Sequence, residues 1–252
     1  MTTAIHLYSI AVCPFAQRTR ILLKLKGVAF DLTEIDITQP RPEWFLKLNP
    51  LGQVPVIVHE GRVLNESSVI NEYLDETFPS PRVMPVDAYQ RAQSRIVIDR
   101  LNHGFVPVMY QLLMARDAAR IAALKEKALA EWQWLNTMLM RHNPDGVWLW
   151  SDFSMADLSA APFFMRWRLN DWYRDAPAPG GEAYARVRRW HDACLAHPLV
   201  RGTGMSDEDF IKLYEDYALG YGNGAVPAGR TRSSFDLSVP LAARALPARC
   251  RT

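Results

Sequence analysis

The fold is decided by the stretch Leu7–Lys26, which reads LYSIAVCPFAQRTRILLKLK. Ile5–Tyr8, which overlaps the start of this stretch, is a short apolar run that predicts a buried strand. Apolar residues then recur at helical spacing up to Leu25, with Pro14 in the first turn and Gly27 just past the end. Proline and glycine favour these two positions of a helix. The stretch therefore predicts a strand that leads through a cysteine-containing turn into a helix.

Outward from this stretch, the rest of the first eighty residues alternates strand and helix signals. Phe30–Thr33 alternates apolar and polar side chains as a half-buried strand does, and Ile35 and Ile37 continue it with one slip of phase. Ser67 or a neighbour is expected to cap the helix predicted over Val69–Phe78. The elements predicted next are a helix, a strand, a second strand after a tight turn, and a helix: Pro42–Lys47, Val54–Val58, Arg62–Leu64 and Val69–Phe78. The order βαβ-α-ββα predicts an α/β domain over residues 1–80.

The strand signals stop at a proline-containing linker over residues 81–87. Pro107 is expected to kink or divide the first helix that follows, and Ser154 and Asp157 form a capping-box pattern ahead of another. His197-Pro198 is interpreted as the end of a helix. Five amphipathic stretches predict an all-helical domain over residues 88–221: Ala88–Ala115, Ile121–His142, Met155–Trp172, Ala183–Ala196 and Ser206–Tyr217.

The last part of the chain, residues 222–252, has no sustained period and carries five arginines against one aspartate. This composition predicts an extended basic tail wrapped on the body of the protein.

The composition excludes several classes of protein. The chain has 252 residues, 49% of them hydrophobic, which is enough for a core in one large domain or two small ones. A formal charge of +2 is too balanced for a nucleic-acid surface. No run approaches the ~18 apolar residues of a membrane span, and the first residues do not resemble a secretory leader. Three widely spaced cysteines favour a reducing, cytoplasmic location over a disulfide framework, and the six histidines show no metal-ligand spacing.

Cys13 is the residue with the clearest chemical signal. A thiol between a strand and a helix start faces unpaired backbone N–H groups and the positive end of the helix dipole, and both favour the thiolate. We therefore expect a lowered pKa and a nucleophilic thiol, the alternative being a small buried cysteine. Ala16 stands where a Cys-x-x-Cys motif has its second cysteine, so a second thiol has to come from solution.

Two further signals suggest a binding site next to this thiol. The Val54-Pro55 bond could be cis, which would turn the backbone of Val54 toward a bound peptide, although Pro55 could also simply open an edge strand. Glu66 and Ser67, at a helix start, could receive an ammonium and a carboxylate, or could form only a cap. Together the three signals describe a site for a small zwitterionic thiol peptide.

Several motifs resemble the omega class of glutathione transferases. They are Cys-Pro-Phe-Ala at 13–16, Pro-Glu-Trp-Phe at 42–45, Asn-Pro-Leu-Gly-Gln-Val-Pro-Val at 49–56, Glu66-Ser67, and Glu-Tyr-Leu-Asp at 72–75. Ser154–Asp157 matches the class's capping motif in the helical half. The tail, with Lys212–Tyr217, Gly222-Asn223-Gly224 and Pro227–Arg230, is similar to the bacterial omega-like glutathione lyase of lignin β-aryl-ether catabolism.

The resemblance implies a thioredoxin-like N-terminal domain, an all-α C-terminal domain and glutathione as co-substrate, without a metal. Cys13 would be the catalytic thiol, and the second substrate would be a small aromatic glutathionyl compound. Residues implied to bind glutathione are Phe15, Arg41, Val54, Pro55, Glu66 and Ser67, with Arg41 standing where the omega class usually has lysine. Residues implied to line the second-substrate pocket, with helix packing as the alternative, are Trp172, Tyr173, Tyr214, Tyr217 and Tyr221.

The activity expected is removal of glutathione from thioethers of aromatic ketones, or from mixed disulfides, through a disulfide between Cys13 and glutathione. Conjugation of glutathione with Tyr8 or Ser9 as the activating hydroxyl, and reduction of dehydroascorbate, are alternatives. A third is a non-enzymatic glutathione-binding protein of the kind found among intracellular chloride channels. The resemblance also implies a homodimer, and neither a nucleic acid nor a membrane is expected as a partner.

Overall fold

The computed structural model describes residues 5–250, and its N-terminal part is built on a four-stranded mixed sheet. The strands are β1 (Ile5–Ser9), β2 (Phe30–Glu34), β3 (Val56–His59) and β4 (Arg62–Asn65). Their spatial order is β2-β1-β3-β4, with β1 parallel to β2 and antiparallel to β3, and β3 antiparallel to β4. The predicted βαβ-α-ββα order is confirmed.

Three helices accompany the sheet: α1 (Pro14–Leu25), α2 (Glu43–Leu48) and α3 (Ser67–Thr77). Helices α1 and α3 pack on each other, and the inward side chains of β1, such as Leu7, are completely buried against helix residues such as Leu22 and Ile70. This core fixes the end of β1, and with it the turn that carries Cys13.

The C-terminal part is helical, as predicted. Its helices are α4 (Ala88–Arg100), α5 (Val106–Met114), α6 (Ala118–His142), α7 (Met155–Arg174), α8 (Ala185–Ala196), α9 (Pro198–Arg201), α10 (Asp207–Leu213) and α11 (Glu215–Ala218). Short 3₁₀ turns lie at Glu182–Tyr184 and Leu241–Ala243. Within the described range, no helix is both long enough and apolar enough to cross a membrane.

Pro107 divides a helix, as predicted. A single π-helical turn, Leu101–Phe105, separates α4 from α5, and the N–H of Val106 reaches back to the carbonyl of Leu101. Proline has no N–H to continue the regular ladder, so the widened turn precedes it.

One local prediction was wrong, the continuation of the second strand to Ile37. Strand β2 ends at Glu34, and although the Ile35 N–H still bonds the Ser9 carbonyl (2.8 Å), Ile37 lies in the following loop. The helix end predicted at His197-Pro198 is confirmed, since α8 ends there, and Pro198 also begins the short helix α9, because proline suits the first position of a helix.

The basic tail is extended and lies on the helical part, where backbone and side-chain bonds hold it. The buried carboxylate of Asp216 accepts from Ser233 Oγ (2.9 Å), from Ser234 N (2.6 Å) and from Arg230 Nη1 (3.2 Å). Farther along, Arg249 pairs with Asp171 at 2.6 Å. The tail therefore packs as part of the folded body.

Candidate active site

A cavity of ≈ 810 Å³ lies between the sheet-containing part and the helical part. Its walls come from the turn before α1, the loops on either side of α2, the start of α3, the helices α5, α10 and α11, and the tail. The lining residues are Ile10, Val12, Cys13, Pro14, Phe15, Ile37, Gln39, Pro40, Arg41, Asn49, Leu51, Gly52, Gln53, Val54, Pro55, Glu66, Ser67, Tyr110, Tyr214, Tyr217, Asn223 and Phe235.

Cys13 occupies the position just before the first residue of α1. Its N–H donates to the Ile10 carbonyl (2.9 Å), and its own carbonyl accepts from Gln17 N (3.0 Å), so both sides of the residue are fixed. The Cys13 residue is partly exposed, but protein atoms surround most of its thiol, and Sγ lies 3.8 Å from the carbonyl oxygen of Val54. The thiol therefore faces the space into which a ligand would enter.

The expected lowering of the Cys13 pKa is corrected by the structure. The backbone N–H groups of Ala16 and Phe15 and the guanidinium groups of Arg166 and Arg20 do lower the pKa, as the helix-start argument requires. Burial raises it by more, so the pKa of the Cys13 thiol lies above its usual value. The sequence showed the amide donors but not how deeply the thiol would be buried.

Phe15, which was implied to bind glutathione, lines the cavity from the first turn of α1. Its ring lies edge-on to Phe163, with centroids 5.1 Å apart, and the Arg18 guanidinium lies 5.2 Å from the ring centroid. Phe15 therefore offers an apolar edge to the cavity that packing beneath it holds in place.

The start of α3 brings Glu66 and Ser67 to the same cavity as Cys13. Glu66 precedes the helix in a left-handed conformation (φ 67°), and its side chain is exposed and caps no N–H group. Ser67 is buried, and its hydroxyl accepts from Arg18 Nη1 at 3.5 Å. With no side-chain cap, the first N–H groups of α3 stay available for a carboxylate.

Arg41 and Val54 approach from the loops on either side of α2. Arg41 donates from Nε to the Gly52 carbonyl (3.0 Å) and from Nη1 to the Asp36 carbonyl (3.1 Å), which fixes the guanidinium at the cavity. The Val54-Pro55 bond is cis, and both residues line the cavity. A guanidinium and a strand-end backbone at these places offer the groups that a peptide carboxylate and amide need.

An aromatic wall faces Cys13 from the helical side. Tyr217 lies between Tyr110 (ring centroids 5.7 Å apart) and Tyr214 (5.1 Å), and Phe235 contacts both Tyr214 (5.4 Å) and Tyr217 (5.9 Å). Burial raises the pKa of Tyr217 to about 12 and raises that of Tyr110 well above its usual value, so both hydroxyls remain protonated at neutral pH. The wall can therefore stack on an aromatic ring, and its Tyr110 hydroxyl keeps the proton that it needs to donate a hydrogen bond.

Sequence reasoning missed Tyr110, Asn223 and Phe235. Tyr110 lies in a correctly predicted helix, but nothing in the pattern indicated which of its faces would meet the cavity. Asn223 and Phe235 belong to the tail, which has no period to interpret. The Tyr217 hydroxyl donates to Asn223 Oδ1 and accepts from Asn223 N, each at 3.1 Å. The tail thus closes one side of the cavity.

Three residues predicted for the second-substrate pocket lie outside the cavity. Trp172 donates from Nε1 to the Pro247 carbonyl (3.1 Å) and so holds the tail. Tyr173 is buried and donates to the Ile211 carbonyl (2.6 Å), and Tyr221 donates its N–H to the Asp216 carbonyl (2.9 Å). The prediction for these three is corrected, because helical periodicity does not show which face of a helix meets a cavity.

The candidate hydroxyls of the conjugation alternative also lie elsewhere. Tyr8 stacks on His6 with ring centroids 4.5 Å apart and contacts Trp44 at 5.6 Å. Ser9 is fully buried, and its Oγ accepts from Arg20 Nη1 at 2.5 Å. Neither residue lines the cavity, whereas the Cys13 thiol does. Over residues 5–250, no three His, Cys, Asp or Glu side chains are grouped so that they could hold a metal ion.

Comparisons with known proteins agree with this geometry. Residues 12–77 match the model of the glutathione S-transferase N-terminal domain. The chain is similar to glutathione S-transferase omega-1 of Rattus norvegicus, with 32% identity over 84% of each chain. It is also similar to glutathione S-transferase omega-1 of Sus scrofa, with 29% identity over 85% of this chain and 86% of the relative. Among solved structures, a tau-class glutathione S-transferase from mango, Mangifera indica, superposes with a TM-score of 0.78 at 20% identity, covering 86% of this chain and 100% of that one.

Proposed function

Because this chain belongs to the glutathione S-transferase family, we propose that it is a glutathione-dependent thiol transferase or lyase in which Cys13 carries the reaction. The observation that supports this most is the thiol itself, which lines the same cavity as Glu66, Ser67 and Arg41. A cysteine at this position can attack sulfur and form a mixed disulfide, whereas a hydroxyl could only assist the glutathione thiolate.

In the first step, the Cys13 thiolate attacks the sulfur of a glutathionyl thioether. A bond forms between Cys13 Sγ and the glutathione sulfur, and the bond from that sulfur to carbon breaks. The organic group leaves with the electron pair of the broken bond and takes up a proton, so it is reduced while the two sulfurs are oxidised to a disulfide. With a mixed disulfide as substrate, the leaving group is a thiolate instead.

In the second step, a second glutathione attacks the disulfide between Cys13 and the first. It forms oxidised glutathione and returns the Cys13 thiolate, so two glutathione molecules supply the two electrons. Because Ala16 offers no second thiol, this resolution depends on glutathione from solution. The reaction therefore needs a compartment rich in reduced glutathione, which supports the proposal of a cytoplasmic location.

Glutathione would lie between two charged side chains, Glu66 and Arg41, and the neutral hydrogen-bonding groups at the start of α3 and at Val54. Its γ-glutamyl ammonium would meet the exposed Glu66 carboxylate, and its γ-glutamyl carboxylate would meet the Ser67 hydroxyl and the uncapped N–H groups of α3. The glycyl carboxylate would meet the Arg41 guanidinium, and the backbone of Val54 would pair with the cysteinyl part. This arrangement leaves the glutathione sulfur beside Cys13.

The second substrate would be aromatic, since the wall formed by Tyr110, Tyr214, Tyr217 and Phe235 faces the thiol. The Tyr110 hydroxyl, which burial keeps protonated, could donate to the carbonyl oxygen of an aryl ketone, where negative charge develops as the carbon–sulfur bond breaks. This favours thioethers of aromatic ketones over dehydroascorbate.

We also propose a homodimer. Apolar side chains are exposed on the neighbouring elements β4, α3 and α4, including Val69 at 56% and Ile96 at 48%. The Glu72–Arg95 ion pair (2.6 Å) joins α3 to α4, so this surface is continuous. Sedimentation velocity measures the oligomeric state directly. A monomer at micromolar protein concentration would contradict the proposed homodimer.

The proposed function is tested by mass spectrometry of the protein after turnover of a glutathionyl aryl ketone without added glutathione. We expect the mass of one glutathione on Cys13 and one equivalent of released ketone. Cys13→Ser should lose both while still binding glutathione in calorimetry. Cys250→Ser is the matched control, because Cys250 is also half-buried but lies in the tail. Full turnover by Cys13→Ser would reject the mechanism in favour of conjugation, and binding without turnover by the wild type would favour a non-enzymatic role.

A further inference from the structure

A buried arginine of the helical part connects both halves of the candidate site without lining the cavity. Arg166, in the middle of α7, is 1% exposed. Its guanidinium donates to the Val12 carbonyl (2.6 Å), to Gln17 Oε1 (2.8 Å), to the Pro162 carbonyl (2.7 Å) and to the Tyr214 hydroxyl (3.3 Å). Three of these partners lie in other elements, so Arg166 joins α7 to the turn before α1, to α1 itself and to the aromatic wall.

The bonds around the Val12 carbonyl form a closed arrangement. The Tyr214 hydroxyl donates to the same oxygen at 3.0 Å, so Arg166, Tyr214 and Val12 contact one another pairwise. Val12 immediately precedes Cys13, and Tyr214 belongs to the aromatic wall. Any displacement of the Arg166 guanidinium would therefore move the thiol-bearing turn and the wall together.

The charge of Arg166 is not neutralised by its hydrogen-bond partners, which are carbonyl, amide and hydroxyl oxygens. A buried cation is normally paired with an anion, because leaving water without one is costly. Arg166 also lies over the Phe210 ring (4.5 Å to the centroid), which offers only a weak partial charge. Cys13 follows directly after Val12 and interacts electrostatically with Arg166, so its thiolate can supply an anion for this cation.

The other charged groups around Cys13 differ from Arg166. Arg20, on α1, interacts with the carboxylate of Glu34, so part of its charge is compensated. Arg18, also on α1, is buried between Phe15 and Phe163 and interacts with Cys13, while Glu66 enters the cavity from the start of α3. Tyr217, on α11, remains a neutral phenol. Arg166 lowers the Cys13 pKa more than Arg20 does.

We propose that Arg166 is a positioning residue that fixes the Cys13 turn and the aromatic wall in one geometry and stabilises the Cys13 thiolate from behind. This rests on the proposed function and adds a named residue from the other half of the molecule to its site. The proposal has two parts, one that depends on the charge of the guanidinium and one that depends on its forked shape. Different substitutions of Arg166 test them separately.

The charge is tested with Arg166→Gln and iodoacetamide, following alkylation of the Cys13 peptide by mass spectrometry across pH. We expect the midpoint of the alkylation rate against pH to rise by about half a pH unit to one pH unit, so that alkylation at neutral pH slows about three- to tenfold. The assay needs no glutathione, so it remains informative even if the proposed transferase activity is absent. A folded Arg166→Gln protein with the wild-type profile would overturn this part.

The shape is tested with Arg166→Lys, which keeps the charge but cannot reach Val12, Gln17 and Tyr214 together. Alkylation should stay within about twofold of the wild type, while kcat/KM for a glutathionyl aryl ketone should fall about tenfold or more. The proposal would be overturned if turnover by Arg166→Lys is unchanged. It would also be overturned if the alkylation rate falls together with the turnover. Arg166→Lys tests the proposal by itself if Arg166→Gln does not fold.

The matched control is Arg186→Lys. Arg186 is also a buried arginine (2% exposed), and it donates to the Asn143, Val147 and Trp148 carbonyls far from the cavity. Arg186→Lys should leave both the alkylation profile of Cys13 and the turnover unchanged. This control separates an effect specific to Arg166 from a general effect of replacing a buried arginine.

Discussion

At the scale of single residues, Cys13 shows how two effects of one position oppose each other. The start of α1 supplies N–H groups that favour the thiolate, yet the same close packing removes water that would solvate it. The effect of burial on the pKa is larger than the effect of the N–H donors. A bound glutathione or a higher pH therefore has to assist the deprotonation that the proposed reaction needs.

We expect the alkylation rate of Cys13 by iodoacetamide to keep rising as the pH passes from neutral into the alkaline range. Because burial raises the pKa of the thiol, the thiolate fraction at neutral pH is smaller than that of a free cysteine, and it grows about tenfold per pH unit below the pKa. The Cys250 peptide serves as an internal reference. A rate that is already constant below neutral pH would contradict a raised pKa.

At the scale of elements, helix α7 is held by a buried carboxylate at its first turn. Asp157 accepts from Ser154 N (2.7 Å), Ser154 Oγ (2.5 Å), Leu149 N (3.0 Å) and Trp190 Nε1 (2.6 Å). The capping box predicted from Ser154 and Asp157 is confirmed, and the bonds to Leu149 and Trp190 extend it to a loop and to α8. The same helix carries Arg166, so this cap supports the site from a distance.

Asp157→Asn should lower the free energy of unfolding by about 1–3 kcal/mol, because an amide NH₂ cannot accept bonds from the buried donors around it. Urea unfolding followed by circular dichroism measures the change. Asp117→Asn is the control: Asp117 is an exposed cap that accepts one bond, from Arg120 N (2.8 Å), and asparagine caps a helix about as well. Equal losses of unfolding free energy in the two variants would contradict the argument that the buried position of Asp157 makes its substitution costly.

At the scale of the whole molecule, the tail links the two parts of the chain. Gly224 lies against the loop after β2 with φ +77°, and a Cβ there would come within 2.3 Å of the Ile37 carbonyl oxygen. Asn223 and Phe235 flank this contact along the chain and complete the cavity wall. The second-substrate side of the site therefore depends on where the tail lies.

Gly224→Ala should displace the tail, because the added methyl group meets backbone that cannot move aside and the positive φ itself costs about 1–2 kcal/mol. Limited proteolysis should then cleave faster within residues 222–250. Gly229→Ala is matched, since it has φ +79° but no atom within 4 Å of the added Cβ. Cleavage at the same rate in both variants would show that the contact with Ile37 does not hold the tail.

Phe235→Ala should raise KM for an aryl-ketone thioether about tenfold or more, since it removes a ring from the aromatic wall. A small glutathionyl disulfide, which does not reach the wall, should be turned over normally. Leu237→Ala changes an exposed apolar residue of the same tail and should affect neither substrate. Equal effects on both substrates would mean that Phe235 supports the fold of the site and does not select the substrate.

The sequence alone determined the order of strands and helices, the position of Cys13 at a helix start, and the cap of α7. These features depend on local signals, such as apolar periodicity, proline and glycine at helix ends, and side chains that bond their own backbone. It also indicated Glu66, Ser67, Arg41 and Val54 as one group, and the structure brings them to a single cavity.

Only the tertiary structure decided how strongly Cys13 is buried, which tyrosines face it, and that Arg166 and Phe235 reach its surroundings. Val12 and Arg166 are 154 residues apart along the chain, and Val12 and Tyr214 are 202 residues apart. Burial and long-range contacts of this kind are properties of the packed molecule. A periodic pattern shows that a helix has an apolar face, but packing alone determines what that face meets.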